Sequence, residues 1–281
     1  MRLPAPAKVN LGLRVRRRRA DGYHEIETVF APLAWHDTVA ATPADALSLT
    51  CSDPALPTDG GNLVWQAAEA LADWAGIAPA AALHLDKRVP YGAGLGSGSS
   101  DAAATLRLLA ELWGLDVPAA AMHALAAGLG ADVPFFLVGR AASATGIGEI
   151  LTPLAGADGA PWRCPYGLVV AVPDAHVPTG PAYGWVTPDD APRPPLAEAV
   201  LSNDLARWRR ELTNDFEAPV VARFPAVGAA LEALRAAGAG WAAMSGSGSA
   251  VVGAFEGEGA ARAAADALAA AGCRVHAEKP G

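Results

Sequence analysis

The segment Gly92-Ala-Gly-Leu-Gly-Ser-Gly-Ser-Ser-Asp101 constrains this chain more than any other, because four glycines alternate with small residues directly before a stretch of helical periodicity. Glycine lets backbone approach a ligand closely and turn its N–H groups inward, and a helix start adds the positive end of its dipole at the same place. Residues 83–89 just before it read as a strand ending at Pro90, so the order is strand, glycine loop, helix, which suits an anionic phosphate. The loop is not the GxxxxGK[ST] type, since Ser-Ser-Asp follows where a lysine is required, nor a dinucleotide fingerprint, since Ser97 stands at the third glycine position. A structural glycine turn with a Ser-Asp helix cap is the competing reading.

At 281 residues the chain is long enough for two domains or one large α/β unit. With 52% hydrophobic and 18% charged residues it has ample material for a packed core and is too apolar for wholesale disorder. The net charge of -8 argues against nucleic acid as the main partner. Cys51, Cys164 and Cys273 form no CxxC pair and no even-numbered framework, which fits a reducing cytoplasm. The N-terminal sequence does not read as a secretory signal. The uncharged stretch 236–255 is rich in Gly and Ser and reads as loop and strand, not as a membrane span.

Period-two patterning predicts a strand over 9–15, a turn at Asp21-Gly22 and a strand over 26–33. A helix follows Asn62, its cap, and runs to Gly76. Further helices are predicted from near Ser100 and over 118–129, and residues 130–154 read as strand-like segments separated by glycines. Residues 155–165 are the candidate linker, dividing the chain into domains over 1–155 and 165–281. The second half reads as a strand over 167–172, a Pro-rich loop to Pro195, and helices over 196–211 and 224–237. Strand, glycine turn and strand follow over 241–255, then a helix over 259–271 and a strand over 273–277, which makes this an α+β domain.

Four shorter segments add chemistry. Lys8, Asn10 and Gly12 share one strand face, where a lysine needs an acidic or phosphate partner; a solvent-facing edge strand is the alternative. Asp132 sits between a glycine and the apolar run Val-Pro-Phe-Phe, as a turn cap or a functional acid. Met244-Ser-Gly-Ser-Gly-Ser-Ala is a glycine turn that an ordinary hairpin also explains. Tyr23 and His24 after the Asp21-Gly22 turn offer two rings for a planar ligand, or for plain packing.

Taken together, PAKVNLGLRV, RRRADGYHEIET, PYGAGLGSGSSDAA, GADVPFF and MSGSGSA resemble, in order and spacing, the 4-diphosphocytidyl-2-C-methyl-D-erythritol kinases of the GHMP small-molecule kinase superfamily. The resemblance spans nearly the whole chain. It implies a two-domain α+β fold, ribosomal-S5-like then ferredoxin-like, with ATP and substrate in the cleft between, and transfer of the γ-phosphoryl group to the substrate's 2-hydroxyl. By that carry-over Asp132 is the general base and Lys8 orients the hydroxyl and offsets developing charge. Asn10 hydrogen-bonds the substrate, Tyr23 and His24 hold the cytosine, and Thr179 and Tyr183 supply its other side. For ATP, the loop residues Gly92, Ala93, Gly94, Leu95, Gly96, Ser97, Gly98, Ser99 and Ser100 wrap the phosphates. Asn62 and Lys87 lie near the nucleotide, and Gly246 and Gly248 face it from the second domain. Mg2+ is expected with ATP, with Ser99 or Ser100 the nearest hydroxyl.

Two departures stand out. Ser97 replaces a glycine common in the family loop; if that position needs positive φ, serine carries strain of order 1 to 3 kcal/mol. The run from Arg16 to Arg19 exceeds the family's usual arginine pair, as a solvated turn or as an attraction for the substrate diphosphate. The rival readings are a homoserine or mevalonate type of kinase, which needs no cytosine clamp, and a nucleotide-binding module without catalysis. The expected setting is cytoplasmic, as a monomer or homodimer, with no nucleic acid and no membrane partner.

Overall fold

The computed structural model describes residues 1–281. In chain order the elements are β1 (Arg2–Arg18), β2 (His24–Pro43), β3 (Ser48–Cys51), α1 (Leu63–Ala75), β4 (Ala81–Asp86), α2 (Ser97–Leu112), α3 (Ala119–Leu129) and α4 (Val133–Val138). Then come β5 (Ala142–Thr145), β6 (Ile150–Pro153), β7 (Gly167–Val172), α5 (Thr179–Tyr183), α6 (Leu196–Leu201), α7 (Leu205–Glu211) and α8 (Glu217–Arg223). The last are α9 (Pro225–Ala236), β8 (Trp241–Met244), β9 (Val251–Phe255), α10 (Glu258–Ala270) and β10 (Arg274–Glu278).

The chain packs as two compact units, each drawn from separated segments. One comprises Met1–Ala7, Ala34–Tyr91 and Gly96–Gly139; the other comprises Lys8–Leu33, Gly92–Leu95 and Arg140–Gly281. This division by packing differs from a single cut at 155–165, because β1 and β2 are long enough to serve both units. The 155–165 stretch carries its own structure, a bridge from Ala155 to Pro161 and the buried Trp162.

In the first unit β3 runs parallel to β4, and β4 pairs antiparallel with residues 38–43 of β2. Helices α1, α2, α3 and α4 pack against one another. Helix α1 starts as predicted: the Asn62 side chain accepts the Val64 N–H at 3.0 Å, and Gly76 closes the helix at φ 66°. Val64, Ala67, Ala68, Leu71 and Ala72 form its buried stripe. Helix α2 begins at Ser97, not near Ser100, so Ser97 has helical backbone and the anticipated strain does not arise.

Two expectations are corrected here. Strand β4 ends at Asp86, and residues 87–89 leave it because Asp37 draws the Arg88 and Val89 N–H groups onto its carboxylate. The run Val-Pro-Phe-Phe-Leu-Val is helix α4, not strand, since a short apolar run fits either and Pro134 in the first turn with Gly139 at the end favours helix.

In the second unit β7, β9, β8 and β10 form an antiparallel sheet in the order β10-β7-β9-β8. Val169 and Ala171 of β7 and Val251 and Phe255 of β9 share one core with Leu231 and Leu234 of α9 and Ala264 and Leu268 of α10. Every residue of β7 is buried, which explains its unbroken apolar run. In the same unit residues 28–30 of β2 pair with β5, and β5 pairs with β6. The helix predicted over 196–211 is two helices, because Asn203 takes φ 49° and Asp204 caps α7 through the Ala206 N–H at 2.8 Å. Helix α8 was not predicted; Pro219 in its first turn hides it. No helix is long and apolar enough to cross a membrane.

Candidate active site

Lys8 and Asn10 lie on β1 with side chains 3% and 1% exposed, which overturns the edge-strand reading. The Lys8 ammonium donates to Asn10 Oδ1 at 2.7 Å and to the Gly94 carbonyl at 3.3 Å, and stands 4.8 Å from the Phe30 ring centroid. Thr28 Oγ1 donates to the Gly12 carbonyl at 2.6 Å and therefore accepts from Asn10 Nδ2 at 2.9 Å. That contact fixes the Asn10 amide with its oxygen toward Lys8.

Gly92, Gly94 and Gly96 of the loop all take positive φ, at 70°, 88° and 67°. A Cβ at Gly94 would stand 2.1 Å from the Ser245 carbonyl oxygen, and one at Gly248 2.2 Å from the Ala93 carbonyl carbon. Only glycine permits this backbone-on-backbone approach of the loop and the Met244-Ser-Gly-Ser-Gly turn. Ser245, which the sequence reading passed over, is fully buried; its Oγ accepts the Asn10 N–H at 3.1 Å and donates to the Gly94 carbonyl at 3.1 Å. The second glycine motif is thus no ordinary hairpin, and one unit gathers Lys8, Asn10, Gly92, Ala93, Gly94, Leu95, Gly246 and Gly248.

The same unit holds the rings expected to grip a base. His24 stacks on Tyr183 with centroids 4.9 Å apart, and Tyr183 meets Phe216 edge-on at 4.9 Å. Tyr23 is 61% exposed, and Thr179 Oγ1 accepts from Ser247 Oγ at 3.3 Å. Burial, helped by the nearby Arg18 charge, holds the His24 pKa below its ordinary value, which keeps the imidazole neutral at pH 7. Of the arginine run, Arg16 pairs with Asp190, Arg17 with Glu25 and Arg19 with Asp21.

In the other unit Lys87 is held between two buried carboxylates, at 2.5 Å from Asp37 and 2.8 Å from Asp101. Burial pushes the Asp101 pKa up to about 7 against the pull of Lys87, while the two acids outweigh burial at Lys87 and raise its pKa. The Lys87 ammonium is therefore engaged inside its own unit. Asn62 is likewise committed, donating to the Pro57 carbonyl at 2.8 Å and capping α1. At the start of α2 the Ser100 hydroxyl is buried with no hydrogen-bond partner, the kind of orphan oxygen that a phosphate-bound cation can use. Asp132 occupies the cap position of α4, and its carboxylate makes no hydrogen bond that caps that helix. Glu149 accepts the Ile147 N–H at 2.6 Å and serves its own turn.

This glycine loop and glycine turn match known sequences: residues 62–140 match the GHMP kinases N terminal domain, and residues 196–273 the GHMP kinases C terminal domain. The chain belongs to the GHMP kinase family. Among relatives of this GHMP kinase, the 4-diphosphocytidyl-2-C-methyl-D-erythritol kinase of Salinibacter ruber is 58% identical, covering 97% of this chain and 96% of its own. The protein of that name from Chlorobium phaeobacteroides is 45% identical, over 89% of this chain and 87% of its own. A crystal structure of 4-(cytidine 5'-diphospho)-2C-methyl-D-erythritol kinase superposes with a TM-score of 0.82 at 43% identity, covering 99% of this chain and 98% of that one. Homoserine kinase from Cytophaga hutchinsonii, at 18% identity and a TM-score of 0.71, shares the fold. The resemblance read from five motifs is thereby met, and the two-domain α+β fold of the GHMP kinase with it.

Proposed function

We propose that this GHMP kinase moves the γ-phosphoryl group of ATP to the 2-hydroxyl of 4-diphosphocytidyl-2-C-methyl-D-erythritol in the non-mevalonate route to isoprenoid precursors. The observation that carries this is the 58% identity to the Salinibacter ruber enzyme across 97% of the chain. Asp132 accepts the hydroxyl proton as the oxygen attacks phosphorus, and ADP departs with the electron pair of the broken bond. Lys8, steered by Asn10 and Gly94, offsets the charge that builds on the transferring group. Positioning and electrostatics are most of what phosphoryl transfer asks of a protein. The loop from Gly92 to Ser100 takes the ATP phosphates, and Gly246 and Gly248 support it, which agrees with the close approach at Gly94. Ser99 or Ser100 would offer its hydroxyl to a Mg2+ accompanying ATP, and that ion would neutralise charge on the phosphate oxygens. Asn62 and Lys87 support the nucleotide indirectly, by fixing α1 and the first turn of α2.

Tyr23, His24, Thr179 and Tyr183 take the cytidine end, and the 4.9 Å stacking of His24 on Tyr183 supports that placement. Because Tyr23 acts on the base alone, Tyr23→Ala raises KM for the cytidylyl substrate about tenfold and leaves ATP binding unchanged; an unchanged KM places the clamp elsewhere. A cytoplasmic setting belongs to the same proposal and fits the three free cysteines. The overall reading is tested by ATP consumption with the cytidylyl substrate, homoserine and mevalonate offered separately. Turnover of the first alone supports it, and turnover of either other alcohol alone replaces it.

A further inference from the structure

The segment Thr213-Asn214-Asp215 has no role so far, yet it joins two parts of the site. It lies beside β1 just beyond Lys8 and Asn10: the Leu13 N–H donates to the Thr213 carbonyl, and the Asp215 N–H to the Leu13 carbonyl, both at 2.9 Å. Asp215 Oδ2 also accepts the Val15 N–H at 2.8 Å. The intervening Asn214 is 5% exposed and turns toward the glycine turn. Its Nδ2 donates to the Met244 carbonyl at 2.9 Å and the Gly246 carbonyl at 2.8 Å, while its Oδ1 accepts the Phe216 N–H at 2.9 Å. Both amide hydrogens are used and the amide has a single possible orientation. Glu217 Oε2 accepts the Met244 N–H at 3.2 Å, so the entry to the turn is gripped on both sides. An open cleft of about 760 Å3 borders the other side of Asn214, lined also by Glu217, Arg235 and Trp241. These hydrogen bonds fix the back of a turn whose front meets the Gly92–Leu95 segment backbone to backbone.

We propose that Asn214 is a positioning residue for the phosphoryl transfer: it holds the 244–246 turn so that Ser245 and Gly94 keep the Lys8 ammonium in place. The links are Asn214 to the turn, Ser245 Oγ to the Gly94 carbonyl at 3.1 Å, and the Gly94 carbonyl to Lys8 at 3.3 Å. Aspartate at 214 has the same shape and no donors, so it sets a carboxylate against two carbonyl oxygens and releases the turn.

The inference rests on the kinase reading above, so the test has one readout with substrate and one without. With ATP and the cytidylyl substrate, Asn214→Asp lowers kcat by ~10-fold or more, while KM for the cytidylyl substrate stays within about threefold. Ser245→Ala, which cuts the next link, shows the same split, and the double variant loses no more than the worse single one. Without substrate, an amine-reactive reagent followed by peptide mass measurement labels Lys8 at least several-fold faster in both variants. Labelling of the ion-paired Lys87 and the exposed Lys279 stays at wild-type rates, which separates a local release from general loosening. Asn214→Ser, keeping one donor, is made alongside and judged by the same criteria should Asn214→Asp fail to fold. Wild-type kcat in a folded variant, losses that multiply in the double variant, or equal acceleration of Lys8 and Lys87 labelling overturns the proposal. A wild-type protein without turnover defeats the substrate reading, and Lys8 labelling then decides the role of Asn214.

Discussion

Asp132→Asn lowers kcat by ~100-fold or more with little change in ATP affinity, a loss of about 2.7 kcal/mol of transition-state stabilisation. The expectation follows from the role proposed for the carboxylate, acceptance of the hydroxyl proton. It sits at the cap position of α4 without capping it, so asparagine removes no hydrogen bond from the α4 backbone. Val133, Pro134, Phe135 and Phe136 stay buried in either protein, so the fold and melting temperature are expected to hold. Steady-state rates with the cytidylyl substrate, together with calorimetric ATP binding, check this. A variant with wild-type turnover removes Asp132 from the role of base, and one that loses turnover together with its fold shows the residue to be structural.

Lys87→Met destabilises the folded protein by ~3 to 5 kcal/mol, because it strips the only ammonium from between Asp37 and Asp101 while both carboxylates remain buried. For a chain of this size that is a fall in Tm of roughly 10 °C. The sign of its pH dependence follows from Asp101, whose pKa burial already raises to about 7. A carboxyl with a raised folded-state pKa is favourable to folding at low pH, and that contribution is lost as pH climbs from its unfolded value through about 7. Removing Lys87 takes away the charge that pulls the Asp101 pKa down against burial, so the deficit of the variant is larger at pH 8 than at pH 5. Urea unfolding at the two pH values measures it; an equal deficit at both means that Asp101 does not titrate as described.

Much of this was legible in the sequence for a local reason. The Asn62 cap, the Gly76 stop and the glycine loop each depend on residues within a few positions of the effect they produce. The resemblance to the erythritol kinases was legible because five motifs kept their order. The run at residues 133–138 was not, since six apolar residues have no period to read and the helix is set by Pro134 and its neighbours in space. The break at Asn203 was hidden because apolar residues continue on both sides of it. The partners of Lys87 were invisible for a different reason: Asp37 is fifty residues away and meets it through the pairing of β2 with β4. Ser245 and Asn214 escaped notice because each acts on backbone carbonyls, which carry no sequence mark.

The interleaving of the two packing units has a consequence for how the chain is made. Lys8–Leu33 leaves the ribosome early, but the segment it packs with, Arg140–Gly281, comes last. The unit that holds Lys8, Asn10 and both glycine motifs can therefore close only over a long loop, after nearly the whole chain has emerged, whereas the segments of the other unit are all available once Gly139 is out. Until that closure the apolar strand residues Val9, Leu11, Leu13 and Val15, all buried in the finished protein, lack the core they finally enter, which leaves this stretch open to aggregation during synthesis.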